Sequence, residues 1–166
     1  MIDVHSKKIR SKNMAAIRNK NTKPELLIRR LLHSLGLRFR LYNKSLPGTP
    51  DITLAKYKAV IFVNGCFWHG HEMNGVNCHF FTTPKTRTEF WLDKINGNKK
   101  RDQQVFSELS KDGWKVLYIW ECALKGKRKL EEGRLIDTIE EWLLAHDTSA
   151  EIDCRGIKKK AIINFL

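Results

Sequence analysis

Five consecutive apolar residues, Ala59-Val60-Ile61-Phe62-Val63, stop at Asn64-Gly65 and pass directly into Cys66-Phe67-Trp68-His69-Gly70-His71. A run this short, rich in β-branched residues and closed by a turn pair, reads as a buried strand. The segment from Cys66 to His71 is therefore delivered to a strand end in the core. Such ends are where α/β proteins commonly place chemistry, and here a cysteine, two histidines and two large aromatics arrive together.

The chain on either side alternates helices and strands. Ser6 to Arg18 reads as a short helix with Ile9, Met14 and Ile17 as its apolar positions. Thr22 suits the N-cap of a second helix, with Pro24 and Glu25 in its first turn. Leu27, Ile28, Leu31, Leu32 and Leu35 recur at helical spacing before Gly36 closes it. Residues 37–42 alternate like a strand, and Leu46-Pro47-Gly48-Thr49-Pro50 is a turn that delivers Asp51 to the head of a strand over 51–55. The apolar run supplies a third strand over 58–63. Residues 70–87 read as a loop, long enough in a compact domain to need a function or an anchor. Residues 88–95 and 98–111 are helical, broken or bent near Asn96-Gly97; 114–120 is a strand and 134–145 a helix. Residues 147–166 read as a basic tail with no clear element. The class is α/β with a mixed sheet, in a single domain spanning 1–166.

Charge narrows the function. The formal net charge is +13, and residues 1–50 hold twelve Lys and Arg against only Asp3 and Glu25. That concentration, densest over residues 1–20, points to a polyanion partner. No apolar stretch approaches the roughly 20 residues that span a bilayer. Residues 1–8 lack the apolar core of a secretory signal. The expectation is a cytoplasmic protein associated with the nucleoid, with no membrane partner.

In that compartment Cys66, Cys78, Cys122 and Cys154 are better suited to metal than to disulfides. Cys66-x4-His71-x6-Cys78 presents three ligands from one loop, and Cys122, just after an apolar strand, can close a tetrahedral Cys3His zinc site. His69, His71 and His79 compete for the imidazole position, and spacing does not choose among them. Asp51 and His69 suit phosphodiester hydrolysis. A hard carboxylate oxygen holds Mg²⁺ against the phosphate, while a neutral imidazole takes a proton from water. The plainer readings are a turn-closing Asp51, a His69 that is packed or bound to zinc, and Phe67 and Trp68 as core residues beside a metal.

Five motifs in register go further. Arg10-Ser11-Lys12-Asn13-Met14, Leu46-Pro47-Gly48-Thr49-Pro50-Asp51, Gly65-Cys66-Phe67-Trp68-His69, Arg87-Thr88-Glu89-Phe90-Trp91 and Trp120-Glu121-Cys122-Ala123-Leu124 together resemble the very-short-patch-repair (Vsr) DNA mismatch endonuclease family over nearly the whole chain. The resemblance implies a restriction-endonuclease-like mixed β-sheet flanked by helices, with a structural zinc. It also implies Mg²⁺-dependent nicking of one strand beside a T·G mispair left by deaminated 5-methylcytosine. At the matching positions Asp51 and the Val63 carbonyl hold Mg²⁺, His69 is the general base, and Glu25 reaches the metal through water. Zinc falls to Cys66, His71, Cys78 and Cys122. Phe67, Trp68 and Trp91 match aromatics that enter the base stack from the major groove, and Met14 matches a side chain approaching from the other side. Lys94 and Asn98 match positions facing the mispair. The implied partner is double-stranded DNA carrying the mismatch, with mismatch-repair and repair-synthesis proteins alongside; the chain is expected to act as a monomer.

Three departures accompany the resemblance. Asn64 stands where the best-studied relatives carry His. The segment from His71 to Cys78 is longer than the tightest family version, which makes His79 a competitor of Cys78. Phe62-Val63-Asn64 replaces the acid and lysine of the wider nuclease superfamily, so His69 must do the lysine's work. Two other functions fit the same residues: an inactive zinc-stapled DNA-binding module, and a restriction endonuclease that cuts both strands of unmodified DNA.

Overall fold

The computed structural model describes residues 6–145 and 148–161. Its centre is a six-stranded mixed sheet built from β1 (Arg40–Leu41), β2 (Ile52–Leu54), β3 (Ala59–Asn64), β6 (Lys115–Trp120), β7 (Ala150–Asp153) and β8 (Gly156–Lys159), in the order β1-β2-β3-β6-β7-β8. The inner pairs β3–β6 and β6–β7 are parallel, and the outer pairs are antiparallel.

Alternation along the inner strands sorts the core onto two faces. Ile61, Leu117, Ile119 and Ile152 face one way, toward Ile28, Leu31 and Leu32 of α2 (Lys23–Ser34) and Leu135, Ile139, Trp142 and Leu143 of α4 (Glu132–Leu144). Val60, Val116 and Tyr118 face the other way, toward Phe106 and Leu109 of α3 (Thr88–Lys111). Parallel strands covered on both faces are apolar throughout, and every residue of β6 is buried. Each fully buried Leu or Ile contributes about 1.5–3 kcal/mol, so these two layers fix the ends of β3 and β6.

The second helix starts as its sequence requires, with the Thr22 hydroxyl accepting from the Glu25 amide. The basic helix α1 (Lys7–Ala15) ends before the expected Arg18 and is exposed throughout, Ile9 at 46% and Met14 at 43%; Ile17, past its end, is 49% accessible. Four further expectations are corrected. The strand anticipated over 37–42 shrinks to β1. The break at Asn96-Gly97 is absent: α3 runs unbroken, with Ile95 buried on one side of the pair and Phe106 and Leu109 on the other. A mid-helix glycine costs only about 1 kcal/mol against alanine, which this packing outweighs. The loop over 70–87 contains a hairpin, β4 (Glu72–Met73) with β5 (Val76–Asn77). The tail yields β7 and β8, paired onto β6; residues 162–166 lie outside the described residues.

Candidate active site and metal centre

Antiparallel pairing sets Ile52 opposite Ile61, which carries Asp51 alongside Val63, whose amide donates to Asp51 Oδ2 at 2.7 Å. Asp51 lines a cleft of about 910 Å³ shared with Glu25, Asn64, His69, Lys94 and Asp102. Burial pushes the Asp51 carboxyl up to about 6; Glu25 adds to the rise, while the Val63 amide, Arg29 and His69 oppose it. Asp51 and Glu25 in one cleft, the first of them reluctant to ionise, suit a hard divalent cation, whose charge reverses that reluctance. The α2 carboxylate of Glu25 is buried and accepts from the Asn21 amide, the Thr22 hydroxyl, Arg29 and Tyr42.

His69 Nδ1 lies 2.6 Å from Asp102 Oδ2. A carboxylate only accepts, so Nδ1 carries the proton and Nε2 is left as a base. Sequence reasoning missed Asp102. Nothing in the spacing of residues 69 and 102 links them, and the contact depends on α3 continuing past Gly97. A smaller cavity of about 420 Å³ also borders Asn64, His69 and Asp102, but Asp51 and Glu25 do not line it.

His69 and His71 diverge at Gly70. Its φ of +56° favours glycine, and a Cβ there would sit 2.4 Å from Lys99 Cε and 2.7 Å from Ile95 Cγ2. Close approach to α3 and a left-handed turn thus send one imidazole to the cleft and the other behind it. The His71 amide donates to the Cys66 carbonyl at 2.9 Å, and the Cys78 amide donates back to the His71 carbonyl at 2.9 Å. Between them the hairpin turns at Asn74-Gly75, both at positive φ, as two-residue hairpins require. The longer loop therefore returns Cys78 beside His71. Cys66, His71, Cys78 and Cys122 are all buried, with ligand atoms within 4.8 Å of one another; the exposed His79 is outside the group.

That group could hold a metal ion, and its chemistry fits one. A hydrogen bond with Cys66, together with burial, pushes the Cys122 thiol far up. Burial likewise raises Cys78 and lowers His71. Without a cation, three thiols and a neutral imidazole are packed into an apolar cluster with Ile95, Phe81 and Trp120. Thiolate and imidazole donors select a soft or borderline ion.

Above the metal group stand the aromatics. Phe67 lies 5.2 Å from Trp68 and 5.9 Å from Trp91, and the two tryptophans are 5.8 Å apart, all three partly exposed. The Lys94 ammonium sits 5.6 Å over each tryptophan ring. Asn98, on the same face of the continuous helix, donates to the Trp68 carbonyl at 2.8 Å. Its amide is thus tied to the backbone that carries Trp68. Met14 lies on exposed α1.

A family model described as DNA mismatch endonuclease Vsr matches residues 2–75. The DNA mismatch endonuclease Vsr of Escherichia coli (strain K12) is 48% identical over 157 residues, which cover 95% of this chain and 97% of that protein. The type II nicking enzyme V.XorIIP of Xanthomonas oryzae pv. oryzae is 47% identical over 118 residues, 71% of this chain and 83% of that protein. Among solved structures, the catalytic domain of the homing endonuclease I-Bth0305I matches with a TM-score of 0.48 at 19% identity, covering 75% of this chain and 96% of that one.

Proposed function

The chain belongs to the Vsr family of DNA mismatch endonucleases, and from that premise we propose that it nicks one strand of duplex DNA beside a T·G mispair left by deaminated 5-methylcytosine, initiating very short patch repair. As a family member it is a DNA-cleaving hydrolase that acts as an endonuclease. The observation that carries the proposal is the convergence of Asp51, the His69–Asp102 pair, Phe67 and Trp68 around one cleft, with Trp91 packed against those two rings.

The division of labour follows from the donors. Asp51 and the Val63 carbonyl would hold Mg²⁺, with Glu25 acting through water. When bound there, Mg²⁺ supplies stabilisation of the negative charge that grows on the phosphate. His69 Nε2 takes the proton of the attacking water, and Asp102 keeps the imidazole in the tautomer that permits it. Asn64, buried at the end of β3, offers no imidazole, so His69 acts as the base without a second histidine. Cys66, His71, Cys78 and Cys122 would hold zinc, tying the hairpin to the ends of β3 and β6. Zinc in that setting is structural, because four protein ligands leave no open position.

Mismatch choice combines two terms. Wedging Phe67, Trp68 and Trp91 into the stack costs a few kcal/mol per step, less at a poorly stacked wobble pair. A T·G wobble also presents G O6, G N7 and T O4 as acceptors in the major groove. Lys94, held by its two tryptophans, is the donor for them. Binding of Trp68→Ala and Lys94→Ala to T·G, A·C and fully paired duplexes with the same flanks tests this. Trp68→Ala should lose affinity for T·G at least tenfold more than for paired DNA, and Lys94→Ala should narrow the margin of T·G over A·C. Equal weakening on all three duplexes by Trp68→Ala would make Trp68 a packing residue beside the metal.

A further inference from the structure

A glutamate three residues after a threonine N-cap is ordinarily a capping residue: partly exposed, with one oxygen engaged on a backbone amide. Glu25 occupies that position, yet only 3% of it is accessible. Its Oε1 accepts from the Thr22 hydroxyl at 3.1 Å, while Oε2 accepts from the Asn21 amide at 3.1 Å, from Arg29 Nη2 at 3.0 Å and from the Tyr42 hydroxyl. The Tyr42 hydroxyl in turn accepts from the Asn21 amide at 2.8 Å and from Arg29 Nη2 at 2.6 Å. Arg29 Nη1 donates to Asn21 Oδ1 at 2.8 Å. Helix capping needs none of this, and burying a carboxylate for it is costly unless the charge is paired.

The backbone is bent to assemble the group. Asn21 and Tyr42 both adopt left-handed conformations, at φ +55° and +48°, which cost of order 1 kcal/mol or more for residues with side chains. Glu25 shares its cleft with Asp51. Asn21 lies between the basic helix α1 and α2.

We propose that Arg29 and Tyr42 are positioning residues of the cleavage site, which hold the Glu25 carboxylate in one orientation beside Asp51 and bind Asn21, at the root of the basic arm, to that same carboxylate. This rests on Glu25 serving the catalytic metal ion through water. Arg29 and Tyr42 both engage Oε2 and so fix the Glu25 rotamer, and the outer partner of the metal site is in place before the ion arrives. Displacing Asn21 would disturb the same group, which couples the seating of the arm to the geometry of the cleft.

The test uses the full-length protein carrying Tyr42→Phe, Arg29→Gln, Glu25→Gln, or Glu25→Gln combined with Tyr42→Phe. Binding of Mn²⁺ to each protein on a T·G duplex is read from the solution EPR signal of the free ion, with the DNA alone subtracted. The Mg²⁺ dependence of nicking and the thermal midpoint are measured in parallel. Losing an outer-sphere partner typically costs 10–100-fold in metal affinity. Tyr42→Phe and Arg29→Gln should each weaken Mn²⁺ binding about tenfold and raise the half-saturating Mg²⁺ by a similar factor, with the nicking rate largely restored at saturating metal. The double variant should bind no more weakly than Glu25→Gln alone, because residues acting through one group are not additive. If Glu25→Gln weakens binding while Tyr42→Phe and Arg29→Gln leave it unchanged and lower only the thermal midpoint, the pair is structural and the inference fails alone. If Glu25→Gln also leaves binding unchanged, the metal role of Glu25 fails and takes the inference with it.

Discussion

Asp51 keeps its carboxyl where burial resists ionisation, and this has a cost in stability that can be measured. With its pKa raised from 3.8 to about 6, the folded state binds the proton more tightly than the unfolded chain. The resulting stabilisation is full below pH 4 and lost as pH rises through 6. Asp51→Asn removes that dependence. In metal-free buffer at pH 7.5 the variant should be more stable than the parent, by on the order of 1–3 kcal/mol, and at pH 4 the two should converge. Urea titrations at both pH values check this. The same substitution should abolish nicking. At His69 the decisive neighbour is Asp102. If His69 is the general base proposed above, Asp102→Asn should lower the nicking rate about 10²-fold or more with DNA binding unchanged, since misplacing the base forfeits most of its 10²–10⁴-fold contribution. Single-turnover nicking alongside a binding titration separates the two effects.

At the scale of elements, the continuity of α3 and the folding of the His71–Cys78 segment decide whether the site assembles. Gly97 has open space around it, so Gly97→Ala should stabilise the helix by about 0.5–1 kcal/mol, visible as a higher thermal midpoint with activity retained. The metal group is held by the hairpin and two strand ends. Cys122→Ser should therefore purify with substoichiometric metal, and chelation of the parent should lower its thermal midpoint; a variant with full metal content and unchanged stability would remove Cys122 from the ligand set. How much of this could be read from sequence depends on the range of the interactions. The β3 run, the Thr22 cap and the α2 stripe are local patterns, and the observed elements begin and end close to them. β7 holds only four residues, and its place is given by pairing with β6 across the intervening helix; short windows carry no trace of that. Gly97 looked like a break because local propensity does not see the packing of Ile95, Phe106 and Leu109. Asp102 was hidden for the same reason, whereas Cys66 and Cys78 were legible because one short segment carries both; His71 stood apart from His69 and His79 only through the family resemblance.

Across the whole molecule the charge is one-sided: the first 50 residues carry most of the +13, and α1 projects its basic residues without burying any side chain in the core. Among the described residues no helix is long and apolar enough to cross a membrane. An arm of that kind acts by displacing counterions from phosphates, so the affinity for DNA should fall steeply with salt. Lys7→Ala, Lys8→Ala and Lys12→Ala together should flatten the log–log slope by about one unit for each phosphate no longer neutralised, with the T·G preference unchanged; fluorescence anisotropy at salt concentrations from about 50 to 200 mM reads it. In the proposed function, specificity belongs instead to Phe67, Trp68, Trp91 and Lys94, and cleavage to the cleft lined by Asp51 and His69. The most direct test of that account is incubation of the full-length protein and Mg²⁺ with a supercoiled plasmid carrying one T·G mispair, next to the same plasmid fully paired. Open circles are expected from the mismatched plasmid alone, with a single nick beside the T. Linear product, equal cutting of the paired plasmid, or binding without any cleavage would contradict it.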